Sequence, residues 1–157
     1  MIKRVLGDLK KELIKIKDEL FADRFGFNLY PGVQELKFHL IQSKIRLGIV
    51  TASSRERFNR TIPSVFSNDF ECIVTGDDLP VGKPSPEVYL EGARRLGLAS
   101  EEILVVENAP LGVKSALGAG MRCMVVGNTL PKSEFPENVE YFKTNMELYR
   151  RMLNEID

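Results

Sequence analysis

Histidine is almost missing from this sequence, cysteine is scarce, and neither sign of charge is in surplus. His39 stands alone among 157 residues. A histidine-based zinc site or a Ser-His-Asp triad therefore has little to build on, and a place on a helix surface is expected for it. The two cysteines, Cys72 and Cys123, lie in apolar, strand-like runs without CxxC spacing, which predicts buried free thiols rather than a disulfide or a metal site. Lys plus Arg and Asp plus Glu both number 22. That balance removes the basic field that draws a protein to nucleic acid or anionic lipid, so neither partner is expected. Long apolar runs are also missing: Ile49 to Ala52 and Ile103 to Val106 fall far short of the ~20 residues that span a bilayer. The opening stretch MIKRVLGDLKKELIKIKDEL carries charges throughout, so a secretory leader is not expected and a cytoplasmic location is.

What is present is a regular alternation. The length suits one domain with a core and is too short for two. Val5, Leu9, Leu13, Ile16 and Leu20 recur at the spacing of one helical face. Pro31-Gly32 breaks that pattern, and Val33, Leu36, Leu40 and Ile41 restart it as a second helix. The β-branched run Ile45 to Val50 predicts a strand that feeds the polar loop Thr51, Ser53, Ser54. A short helix from Arg55 to Ile62, a strand at Cys72 to Thr75 and a polar loop through Gly76, Asp77 and Asp78 follow. Pro86 then opens a helix whose inner stripe is Val88, Tyr89, Ala93 and Leu96 and which ends at Gly97. Ile103 to Val106 reads as a strand, Leu111 to Ala119 as a helix closed by Gly120, and Cys123 to Val126 as a strand. Val139 to Phe142 and Met146 to Leu153 read as an edge strand or loop and a closing helix. The order predicts an α/β fold, a parallel sheet with helices on both faces.

Ligands of such sheets bind beyond the carboxyl ends of the strands, which directs attention to three loops. They are Val50-Thr51-Ala52-Ser53-Ser54, Gly82-Lys83-Pro84-Ser85-Pro86 and Val106-Glu107-Asn108-Ala109-Pro110. A hydroxyl with backbone N–H groups can hold phosphate oxygens, a lysine supplies a point charge, and an acid at a strand end can help to hold Mg²⁺. Singly, each has a plainer reading: Thr51 and its serines as a helix cap, Lys83 as a solvated loop lysine. Glu107, at the end of Leu104-Val105-Val106, would be partly buried and would need a partner.

With their order and spacing, these segments resemble the haloacid dehalogenase superfamily, in its phosphoglycolate phosphatase and β-phosphoglucomutase-like branch. Tyr30-Pro31-Gly32-Val33 resembles the return from cap to core, and VTASS the second signature motif. VTGDDLPVGKPSPEVYLEGARRLGL is similar to the segment carrying the third, and ILVVENAPLGVKSALGAGM to the fourth. The resemblance implies a Rossmann-like three-layer core over 29–157 and a remnant of a helical cap over 1–28. It also implies Mg²⁺-dependent phosphatase or phosphomutase chemistry on a small phosphorylated metabolite. Thr51 and Lys83 would be its catalytic residues, Thr51, Ala52, Ser53 and Lys83 its phosphate binders, and Glu107 and Asn108 its metal ligands.

The departure from the family is at the nucleophile. Its enzymes begin with a strand ending in Asp-x-Asp, whose first aspartate attacks phosphorus, and no Asp-x-Asp occurs in this sequence. Val5-Leu6-Gly7-Asp8-Leu9-Lys10 has one aspartate inside a helical period and a lysine where the second belongs. In the family that strand lies between those ending here at Val50 and Val106, so the expectation is that the flanking strands close up and pair, or that a second copy exchanges a strand through exposed edges. Three functions follow: an incomplete or inactive phosphatase by lineage; a non-catalytic module that binds phosphate or a phosphometabolite; and a receiver-like domain, which also needs a strand-end aspartate. Gly76 to Lys83 has the wrong spacing for a P-loop, and neither GxGxxG after a strand nor GxSxG occurs.

Overall fold

A computed structural model describes residues 27–156, so the expected cap remnant over 1–28 and its amphipathic helix lie almost wholly outside the described residues. Helix α1, Val33–Gln42, follows the Pro31-Gly32 turn. Lys44 in the left-handed region and a bond from the Ile45 N–H to the Leu40 carbonyl reverse the chain after it. That turn delays the strand: β1 is Gly48–Val50, shorter than the expected Ile45 to Val50. Next come α2, Arg55–Thr61, a single turn α3, Ser64–Ser67, and β2, Cys72–Val74. Helix α4, Glu87–Leu96, opens behind Pro86 and buries Val88, Tyr89, Ala93 and Leu96, the stripe its spacing predicts. Strand β3, Leu104–Glu107, leads into α5, Pro110–Gly118, and β4, Arg122–Val126, into β5, Glu140–Phe142, and α6, Asn145–Ile156.

All strand pairs are parallel. Strand β4 is central to its sheet, and its alternate residues enter two cores. Cys123 and Val125 join Val88, Tyr89, Val113 and Ala116 on the face covered by α4 and α5. Met124 and Val126 join Leu148 and Met152, with Leu36 and Leu40 of α1, on the other face. Both thiols are buried and free. His39 departs from the surface placement expected of it: it is half-buried, with its Nε2 enclosed and its ring edge-on to Tyr149 at 6.4 Å. Among the described residues, no helix is long and apolar enough to cross a membrane.

Among the described residues β1 and β3 do not pair, so the expected direct closure of the sheet does not occur. Strands β1 and β2 form one ladder and β3, β4 and β5 another. Between β1 and β3 lies a cleft of about 1000 Å³, lined among others by Leu40, Ile49, Val50, Leu96, Leu104 and Val106. The helices explain the separation. α4 packs on β1 and β2, α5 on β3 and β4, and the two helices lie side by side. Packed helices sit 8–10 Å apart, so β1 and β3 cannot approach to ~4.8 Å without one helix leaving its strands. The inner edges of both strands therefore face the cleft, and Val106 is 44% exposed there. The outer edge of β2 is treated differently. The Ile73 carbonyl accepts from Arg55 Nη2 at 2.8 Å and Arg95 Nη1 at 2.9 Å, and Asp78 binds both guanidiniums. Charged side chains that occupy an edge carbonyl block strand addition on that side.

Candidate functional site

The mouth of the cleft lies at the carboxyl ends of β1 and β3, where the loops gather. In the first loop, the Thr51 N–H continues the ladder to the Val74 carbonyl at 2.9 Å, which holds Thr51 at the strand end. Its Oγ1 accepts the Ser53 N–H at 3.1 Å. Ser54 Oγ caps α2 by accepting the Arg57 N–H, and Asp77 takes the Arg55 N–H at 2.7 Å. The Ser53, Arg55 and Arg57 N–H groups are thus bonded within the chain. Thr51 is half-buried and Ala52 exposed at the mouth.

Gly76 supports this loop from beneath. Its N–H donates to the Ser53 carbonyl at 2.8 Å, and a Cβ there would stand 2.6 Å from the Ala52 carbonyl oxygen. The neighbour is backbone and cannot rotate away. Gly76→Ala is therefore expected to lower stability by about 1–3 kcal/mol, read as a lower denaturant midpoint at unchanged slope.

The second and third loops meet under the mouth. Lys83 Nζ donates to the Val50 carbonyl at 3.2 Å, to the Tyr89 hydroxyl at 3.1 Å and to Glu107 Oε1. The Tyr89 O–H donates to the same Oε1 at 2.7 Å. Glu107 Oε2 accepts the N–H groups of Asn108 and Ala109 at 2.9 and 3.2 Å. Ser115 of α5 fixes the lysine loop by donating to the Ser85 carbonyl at 2.5 Å. Glu107 is 7% exposed, so an ionised carboxylate here needs this full set of donors. Burial raises its pKa, but the charge and hydrogen bond of Lys83, the Tyr89 hydroxyl and the Asn108 amide together outweigh burial and hold it below the ordinary value. Burial, with the Glu107 charge beside it, pushes the Tyr89 phenol up, so Tyr89 remains a donor.

The chain thus brings Thr51, Ala52, Lys83, Glu107 and Asn108 to one cleft, while Ser53 stands behind Thr51. These residues do not by themselves fit Mg²⁺. Both oxygens of Glu107 are taken by four donors and its charge is balanced by Lys83, whereas Asn108 is an exposed amide. Among the described residues no three His, Cys, Asp or Glu side chains come together. Two residues of the site escaped the sequence reading. Tyr89 was legible only as part of an apolar stripe, and its polar end marks it in retrospect, since a buried phenol needs a partner. Gly112 gave no signal. Yet a Cβ there would stand 1.9 Å from Glu107 Oε1, so only glycine lets α5 pass the carboxylate.

Known proteins resemble this chain in sequence and in fold. A family model described as "Haloacid dehalogenase-like hydrolase" matches residues 2–126. Hexitol phosphatase A of Escherichia coli is 36% identical over 80% of this chain and 57% of its own length. Protein CbbY of Rhodobacter capsulatus is 37% identical over 76% of this chain and 54% of its own. The chain spans just over half the length of these curated relatives. Among solved structures, CbbY of Rhodobacter sphaeroides in complex with phosphate superposes with a TM-score of 0.76 at 26% identity, over 88% of this chain and 65% of that one. A family IA hydrolase from Entamoeba histolytica, 22% identical, shares the fold with a TM-score of 0.77 over 99% and 76%. With a family model matched over residues 2–126, three of the signature motifs in order and the strands parallel, the chain belongs to the haloacid dehalogenase-like hydrolases, in the phosphatase and phosphoglucomutase-like group.

Proposed function

We propose that the mouth of the cleft holds the phosphate group of a small phosphorylated metabolite, and that the chain as written binds it without turning it over. The observation that carries this reading is the convergence of Thr51, at the end of β1, and Lys83, bonded to the Val50 carbonyl one residue earlier. On this reading the Thr51 hydroxyl and the Ala52 backbone contact phosphate oxygens and Lys83 supplies the charge. Ser53 acts from behind, its amide orienting Thr51. Relatives named as phosphatases and a neighbour solved with phosphate support the ligand class. Turnover by covalent catalysis needs a nucleophile, and the sequence has no Asp-x-Asp. Phosphatases of the family generally use Mg²⁺; beside Glu107 and Asn108 the ion would require a further carboxylate, since Glu107 already serves Lys83. A cytoplasmic location belongs to the same reading.

A second reading is carried by the inner edges of β1 and β3, which pair with no strand among the described residues. A strand from another copy, pairing there, would complete the sheet and could bring a carboxylate to Lys83. The guanidinium-capped outer edge of β2 argues that such a homodimer would form through the cleft. The two readings separate in one assay. Incubated with an aryl phosphate and Mg²⁺ across a range of protein concentrations, the chain is expected to give no hydrolysis above buffer, while inorganic phosphate raises its Tm. Hydrolysis that rises more steeply than protein concentration and is lost in Lys83→Ala would favour the completed dimer.

A further inference from the structure

The Lys83 ammonium presents a difficulty for any anion: its donors already serve Val50, Tyr89 and Glu107. To reach a phosphate at Thr51 it must release one acceptor. Releasing Glu107 would normally be costly, because a buried carboxylate oxygen stripped of its donor carries a large desolvation penalty. Here the oxygen that Lys83 would leave, Oε1, also accepts the Tyr89 O–H at 2.7 Å, and Oε2 keeps its two backbone donors. Tyr89 is 7% exposed on the first turn of α4, so its hydroxyl is held by the core and does not wander with the ligand.

We propose that Tyr89 is a positioning residue, whose hydroxyl keeps Glu107 bonded when Lys83 turns from the carboxylate to a bound phosphate. Tyr89 touches neither ligand nor reacting atom and acts through Glu107. The inference rests on the phosphate-holding reading above. It also explains why the phenol shares a single oxygen with the lysine: the two donors are partners in an exchange, with the carboxylate never left bare.

The test is inorganic phosphate affinity in Tyr89→Phe, Glu107→Gln and the double variant, measured by calorimetry at pH 7. Tyr89→Phe keeps the ring and its packing. In the Glu107 background it is expected to weaken phosphate binding about tenfold, as one buried acceptor loses its remaining donor. In the Glu107→Gln background, where no carboxylate charge needs holding, the same substitution should change affinity less than about twofold. An equal loss in both backgrounds would mean that the phenol acts through packing and would overturn the proposal. So would unchanged affinity in Tyr89→Phe while the parent binds phosphate. A parent that binds no phosphate overturns the site assignment itself, and this inference with it.

Discussion

Gly112→Ala is expected to lower stability by about 2–4 kcal/mol, although alanine for glycine at an ordinary helix position stabilises. A Cβ at 112 would lie 1.9 Å from Glu107 Oε1 and 2.1 Å from Cδ. A carboxylate is the free end of a flexible side chain and could swing aside in most settings. In this one, four donors hold it, and moving it strands Lys83 and the Tyr89 hydroxyl together. Breaking a buried pair is worth about 3–5 kcal/mol, reduced here because Lys83 is 16% exposed. Urea unfolding of the single variant and of Gly112→Ala in a Glu107→Ala background reads the mechanism. The glycine substitution should be nearly neutral once the carboxylate is gone.

Lys83→Met carries the second large effect, and its sign depends on pH. With Lys83 in place the Glu107 pKa lies below its ordinary value, although burial alone would raise it. A depressed folded-state value means that ionised Glu107 stabilises the fold above its unfolded pKa of about 4.3, and that this contribution fades as pH falls through the lower folded value. Removing the lysine leaves burial as the dominant influence, so the folded pKa moves above the unfolded one and the contribution changes sign. The variant should be about 3 kcal/mol less stable than the parent at pH 7, and the difference should shrink as the solution is acidified past pH 5. Denaturant midpoints from pH 7 to pH 3 check this. A constant difference across that range would mean that Glu107 is not what Lys83 holds.

These effects fall on residues of unequal legibility. Thr51 and Glu107 could be found because each ends or follows a short apolar run, and strand ends are where parallel sheets bind ligands, whereas Lys83 drew notice as a lysine in the loop between β2 and α4. The stripe Val88, Tyr89, Ala93 and Leu96 gave α4 and its buried face, but not that the Tyr89 hydroxyl reaches Glu107. Nothing local marks Gly112, because the reason for it sits on a neighbouring strand end. The start of β1 was misplaced because the turn at Lys44 and Ile45 is fixed by a bond back to Leu40. Closure of the sheet was expected from the cost of bare strand edges alone. It fails because α4 and α5, packed side by side above β1 and β3, fix the width between them.

Titration of inorganic phosphate into the isotope-labelled chain, followed residue by residue by NMR, tests the central claim most directly. Saturable shifts at the Thr51 and Ala52 amides and the Lys83 side chain, abolished at the two amides in Lys83→Ala, are predicted. Absence of shifts at millimolar phosphate, or shifts elsewhere with these three unmoved, would contradict the claim that this cleft mouth is a phosphate site.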